Sequence, residues 1–152
     1  MRTAPITVLM LVASFLHAAE RDYSRLTLDQ MVGAVLVDHA RSVVELHHFT
    51  NHSPDLLPLD ALFMSLKPSY AHLTYKERCE FSLFAILFGE LDASSSLCFK
   101  DLIKADAQKI RVDLAKIPDS ALRDRFGISD SAIKSFRDYL QNLKDIDEHW
   151  HM

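Results

Sequence analysis

The chain has 152 residues, of which 49% are hydrophobic and 25% are charged, so it is long enough to bury one hydrophobic core and short for two domains. Its 17 basic residues are outnumbered by 21 acidic ones, and the formal net charge is −4. A mildly acidic chain has no general electrostatic attraction for nucleic acid or for anionic lipid. The composition therefore argues against both as partners.

The N-terminus has the three parts of a secretory signal peptide. Arg2 supplies a positive charge, the run from Ile6 to Leu16 contains no charged residue, and two alanines follow before polar sequence begins. A run of this length is too short to span a bilayer, which takes about 20 apolar residues. We therefore predict a signal peptide over residues 1–19, a single helical domain without a membrane span over residues 20–152, and a periplasmic or secreted location.

The rest of the chain predicts an all-α fold. Apolar residues recur at helical spacing, and no Asn-Gly or Asp-Gly pair marks a hairpin between strands. The predicted helices cover about residues 27–50, the segment between Pro58 and Pro68, residues 74–91, residues 97–116, a short turn before Gly127, and residues 129–150. Short connections between them predict a small antiparallel helical bundle of five to six helices.

The third predicted helix is the most apolar segment of the chain. Thr74 and Glu77 have the spacing of a capping box, which places its start. Between Phe81 and Phe88 the helix is apolar on almost every side, and charged residues flank this run closely. A helix of this kind is normally surrounded by other helices. We therefore expect it at the centre of the core.

The two cysteines, Cys79 and Cys98, predict a disulfide. Paired cysteines in an exported chain are usually bridged, and closing this loop would contribute about 3 kcal/mol in the chain-entropy model. No Cys-x-x-Cys motif indicates a redox site. The bridge requires the segment after the third helix to return along that helix, because the two residues otherwise lie at opposite ends of a helical hairpin.

His39 and Asp106 are polar residues on two apolar stripes. His39 falls between Val35 and Val43 on the first helix, and Asp106 interrupts the stripe of the fourth. A buried polar pair between them is one hypothesis; a lone buried histidine with a single hydrogen-bond partner is the other. The pair is the one feature compatible with an enzyme. Gly-x-Ser-x-Gly and Gly-rich phosphate motifs are absent, so no catalytic activity is expected.

A second group of histidines lies on the polar face of the first helix. Glu45, His48 and His52 have the spacing i, i+3, i+7, so all three could bind one metal ion. His149 and His151 near the C-terminus could complete such a site. The His-Glu-x-x-His motif of catalytic zinc sites and the second Glu-x-x-His of di-iron bundles are absent, and solvated histidines are the alternative. No motif requires a cofactor.

The segment from Leu122 to Phe136 resembles a helix-turn-helix motif, with Gly127 in the turn and apolar packing positions on both sides. Its second helix carries more acidic than basic residues, which would repel a phosphate backbone. The segment is therefore interpreted as a structural corner between two helices.

These features predict a protein that acts by binding another protein. An immunity or inhibitor protein that neutralises a toxin or a hydrolase would be small, exported, acidic, disulfide-bonded and free of catalytic motifs. The alternative is a helical bundle that binds a metal or a small ligand through its histidines.

Overall fold

A computed structural model describes residues 22–37 and 57–150, and it describes side-chain surroundings as far as Leu143. This part of the chain contains eight helices and no strand, which confirms the predicted all-α fold. The helices are α1 (residues 28–37), α2 (Leu59–Ser65), α3 (Lys67–Ala71), α4 (Tyr75–Phe88), α5 (Ala93–Ile103), α6 (Ala107–Ala115), α7 (Asp119–Phe126) and α8 (Asp130–Trp150). None of these helices is both long enough and apolar enough to cross a bilayer.

The helix number exceeds the predicted five to six because two helical segments differ from expectation. Helix α3 follows α2 directly and contains Pro68 in its first turn. The predicted second helix is α2, and Pro68 lies beyond its end as expected. Helix α3 was not predicted, and its first turn tolerates proline because the backbone N–H there has no intrahelical partner. The predicted fourth helix is also divided, with α5 ending at Ile103 and α6 beginning after Asp106.

Several helix starts follow the local signals in the sequence. The capping box at α4 is confirmed, with the Thr74 N–H donating to Glu77 Oε1 over 2.9 Å and the Glu77 N–H donating to Thr74 Oγ1 over 3.2 Å. Ser129 caps α8 by accepting from the Ala132 N–H. Gly127 ends α7 with a φ of 64°, a left-handed conformation that glycine adopts without steric cost.

The core is built around aromatic residues of α2, α4 and α5. The Phe63 ring centroid lies 6.3 Å from that of Phe81 and 5.3 Å from that of Phe99, and all three residues are fully buried. Phe84, one turn after Phe81, is partly buried and packs edge-on against Phe126 of α7 at 5.4 Å. Ser82 and Leu83, which point in other directions from α4, are buried as well. The predicted central helix is therefore covered on more than one side.

A buried serine joins the segment before α1 to α3. Ser69 Oγ accepts a hydrogen bond of 2.8 Å from the Leu26 N–H and donates to the Tyr23 carbonyl. Helix α1 buries Val35 of its predicted apolar stripe, and it also buries Met31. The remainder of the predicted first helix, residues 38–50, lies outside the described residues, as does the predicted signal peptide.

Candidate functional site

The predicted disulfide is wrong: Cys79 and Cys98 are both free thiols. Helix α4, which carries Cys79, packs against α6 and α8, whereas α5, which carries Cys98, packs against α2. The segment after α4 therefore does not return along that helix, and the two sulfur atoms are not brought together.

Cys79 lies in a polar cluster between α4 and α6. One turn before it, the Tyr75 hydroxyl donates a hydrogen bond of 2.6 Å to Asp113 Oδ2, and the Lys109 ammonium stands 4.1 Å from the Tyr75 ring centroid. Burial raises the pKa of the Cys79 thiol, although the Tyr75 hydroxyl partly opposes this effect. Since a protonated thiol is a poor nucleophile, Cys79 lacks the character of a reactive cysteine. The cluster fastens α4 to α6.

Asp106 has a different place and a different partner from those predicted. It lies at the N-cap of α6, so the prediction that it interrupts the stripe of a continuous helix was wrong. Its Oδ2 accepts a hydrogen bond of 2.7 Å from Arg78 Nη1, and each of the two side chains is 23% exposed. His39 lies outside the described residues, so its pairing with Asp106 stays a prediction.

Arg78 is a central residue that the sequence did not single out. Its Nε donates to the Tyr70 carbonyl over 3.2 Å and its Nη2 donates to the Ala71 carbonyl over 3.0 Å, where α3 ends. Its guanidinium carbon also lies 5.0 Å from the Tyr70 ring centroid. Together with the ion pair to Asp106, these contacts join α3, α4 and α6.

The predicted metal ligands lie outside the residues whose side chains are described. This applies to Glu45, His48 and His52 and to the C-terminal His149 and His151. Within the described residues, no group of three or more His, Cys, Asp and Glu side chains is arranged to hold a metal ion. The metal site therefore stays a prediction.

Helices α2 and α5 lie side by side and run in the same direction. Asp60, in the first turn of α2, accepts a hydrogen bond of 2.9 Å from the Ser94 hydroxyl in the first turn of α5. Beyond the other end of α2, Lys67 forms an ion pair with Asp101. In both pairs the two residues are 34 positions apart in the sequence, so α2 and α5 are parallel and in register. Their outward surface, here called the α2–α5 face, is formed by Asp60, Met64, Lys67, Ser94, Leu97 and Asp101.

The centre of the α2–α5 face is apolar and exposed. Met64 is 60% exposed and Leu97 is 63% exposed. Met64 follows Asp60 on α2 by about one helical turn, and Leu97 follows Ser94 on α5 by about one turn. The two side chains therefore lie at the same level on neighbouring helices. Among the described residues, the other large hydrophobic side chain that is exposed is Val112, which lies on α6.

The two ends of the α2–α5 face carry different charge. Asp60 and the exposed N-cap residue Asp92 lie where the two helices begin. Lys67, Asp101 and the exposed C-cap residue Lys104 lie where the helices end. The first end is therefore acidic, whereas the ion pair between Lys67 and Asp101 cancels both of their charges at the second end.

The α7–α8 corner engages its basic residues within the molecule. Arg123 pairs with Asp130 over 2.9 Å, and Lys134 pairs with Asp138 over 2.9 Å. Arg137 of α8 donates to Asp119 Oδ1 and to the Ala115 carbonyl. The Arg123 and Arg137 contacts join different helices and fix the angle between them, which is the role expected of a structural corner.

No protein-family model, curated protein or solved structure matches this chain. The chain's own surface is therefore the source of evidence for its function. Of the features described, the polar clusters at Arg78 and Tyr75 connect helices within the molecule, whereas Met64 and Leu97 face solvent. The α2–α5 face is accordingly the candidate functional site.

Proposed function

We propose that this chain acts by binding another protein through the α2–α5 face. The observation that carries the proposal is the exposure of Met64 and Leu97, at 60% and 63%, at the same level of two adjacent helices. Burying a large apolar side chain in an interface contributes about 1.5–3 kcal/mol, and clustered exposed apolar residues mark interaction surfaces.

The surroundings of the apolar pair support a preformed binding surface. The Asp60–Ser94 hydrogen bond and the Lys67–Asp101 ion pair fasten the two helices at both ends of the face. Phe99, next but one after Leu97, is fully buried against Phe63 of α2. A rigid surface loses little conformational entropy on binding, so more of the contact energy is available for affinity.

The immunity or inhibitor role predicted from the sequence is a narrower form of this proposal. It is supported by the small size of the chain, its net charge of −4 and the absence of catalytic motifs from the sequence. A basic cleft on a toxin or hydrolase would complement that charge and accelerate association. This form requires a partner whose activity falls when the chain binds.

The binding proposal is tested by placing a photoreactive amino acid at position 97 or at position 112 of the full chain in its native host. We expect one cross-linked protein from position 97 and none from position 112. The cross-linked protein is then purified, and its affinity is measured for wild type, Leu97→Glu and Val112→Glu. A loss of roughly tenfold or more in Leu97→Glu alone supports the proposal. Equal affinities for all three chains would show that the face is not the binding surface.

A further inference from the structure

We infer that Met64 is a site of reversible oxidation, at which a peroxide converts the apolar centre of the α2–α5 face into a polar surface. The effect of this modification on partner binding rests on the proposed function. The Met64 side chain is 60% exposed at the centre of the face, whereas Met31 of α1 is fully buried. These are the two methionines in the part of the chain whose side chains are described.

The reaction needs a peroxide and no catalytic group of the protein. The thioether sulfur of Met64 attacks one oxygen of hydrogen peroxide, the O–O bond breaks, and the other oxygen leaves as water. Sulfur gives two electrons to the peroxide and keeps the transferred oxygen as a sulfoxide. A methionine sulfoxide reductase reverses the step, with two thiols oxidised to a disulfide and the oxygen released as water.

Exposure selects Met64 over the buried methionine. An oxidant in water reaches an exposed sulfur directly, whereas the sulfur of Met31 becomes accessible when the core opens. The neighbour of Met64 on α2, Phe63, is fully buried against Phe99, so the core side of this helix is covered. Oxidation of Met64 therefore changes the surface of α2 and leaves its core packing in place.

A sulfoxide at position 64 makes one member of the exposed apolar pair polar. Its oxygen is a hydrogen-bond acceptor, and a partner that covered it without offering a donor would leave it unsatisfied. Leu97 contains no atom that a peroxide oxidises, so the other member of the pair stays apolar. Oxidation should therefore weaken the binding of a partner, and reduction of the sulfoxide should restore it.

The first test exposes the folded full chain to hydrogen peroxide, in a Cys79→Ser, Cys98→Ser background that removes the thiols. Peptide mass spectrometry should show that Met64 is oxidised at least roughly tenfold faster than Met31. Hydrophobic interaction chromatography should elute the oxidised chain earlier, and a methionine sulfoxide reductase with dithiothreitol should restore the original elution. The larger part of this shift should disappear in Met64→Leu and remain in the matched control Met31→Leu. Equal oxidation rates, or a shift that Met64→Leu retains, overturn the inference.

The second test measures affinity for the protein that cross-links to position 97, before and after peroxide treatment of the same chain. Treatment should weaken binding by roughly tenfold in the chain that contains Met64 and in Met31→Leu, and by much less in Met64→Leu. Circular dichroism checks that each treated chain is folded. An affinity that peroxide leaves unchanged, or lowers equally in Met64→Leu, overturns the effect of Met64 on binding. If no protein binds through position 97, the proposed function fails, while the first test still decides whether Met64 is the oxidation site.

Discussion

Arg78 and Asp106 form an ion pair of 2.7 Å that connects α4 to the N-cap of α6, with each side chain 23% exposed. The same guanidinium donates to the Tyr70 and Ala71 carbonyls at the end of α3. The planar guanidinium holds its N–H groups in a fixed fork, so one side chain satisfies all three acceptors. This residue determines how three helices meet.

Replacing Arg78 with methionine should lower the free energy of unfolding by about 2 kcal/mol, because the substitution leaves the Asp106 carboxylate partly buried without its cation. Arg78→Lys should recover only part of the loss, since an ammonium cannot reach two carbonyls and a carboxylate in one plane. Urea denaturation measures the free energy of unfolding of both variants. Arg111→Met serves as the control, because Arg111 donates to Gln108 at the surface. An equal loss in the control would contradict the role assigned to Arg78.

The Tyr75–Asp113 hydrogen bond predicts a dependence of stability on pH. The Tyr75 hydroxyl holds the pKa of Asp113 below its usual value of 3.8. A carboxyl group whose pKa is depressed by folding contributes stability that is present above its unfolded pKa. That contribution is lost as the pH falls through the folded pKa, so acid should weaken the attachment of α4 to α6.

Tyr75→Phe should therefore raise the pKa of Asp113 toward 3.8 and reduce the acid sensitivity of unfolding. Nuclear magnetic resonance titration of the carboxyl carbons measures the first effect. Asp92, whose pKa is lowered by hydrogen bonds from Ser95, is an internal control that should not change. An unchanged pKa for Asp113 would show that the hydroxyl does not stabilise the carboxylate.

The hydrogen bonds of Ser69 should stabilise the attachment of the segment that precedes α1. Ser69→Ala leaves the buried Leu26 N–H without its acceptor, and an unsatisfied buried donor costs about 1–3 kcal/mol. Urea denaturation would measure the lower free energy of unfolding, and hydrogen exchange at the Leu26 amide should become faster. Ser94→Ala, which removes an exposed hydrogen bond to Asp60, should cost much less. Equal costs would argue against Ser69 as an anchor.

The two thiols should both react with an alkylating agent when the chain is denatured without a reductant, as mass spectrometry would show. In the folded chain, alkylation of Cys79 should be slow, because burial raises the pKa of its thiol. Cys98→Ser should cost far less than the ~3 kcal/mol that a bridge across this loop would contribute. Resistance to alkylation in a denatured, unreduced chain would instead show that the two cysteines form a disulfide.

Helix starts could be predicted because their signals are local. The Thr74–Glu77 capping box is formed as predicted, and the Ser129 cap lies at the predicted start of the last helix; each involves groups three residues apart. Ile133, Phe136 and Leu140 recur at helical spacing along α8, and all three are buried. In each case the interacting groups lie within a few residues or on one helix face.

The break between α5 and α6 could not be predicted in the same way. Apolar spacing continues across it, and Asp106 resembled a polar residue within one stripe. Its carboxylate instead pairs with Arg78, 28 positions earlier in the chain. Nothing in the residues next to Asp106 identifies that partner.

The sequence by itself determined that the chain is helical and where most helices begin, because backbone hydrogen bonds and caps are satisfied within a turn or two. The tertiary structure decided which helices are neighbours. It separated Cys79 from Cys98 by giving their helices different partners, and it placed Met64 beside Leu97 by pairing α2 with α5. These outcomes depend on contacts between residues more than thirty positions apart, such as Asp60 with Ser94, and local hydrophobic spacing carries no information about them.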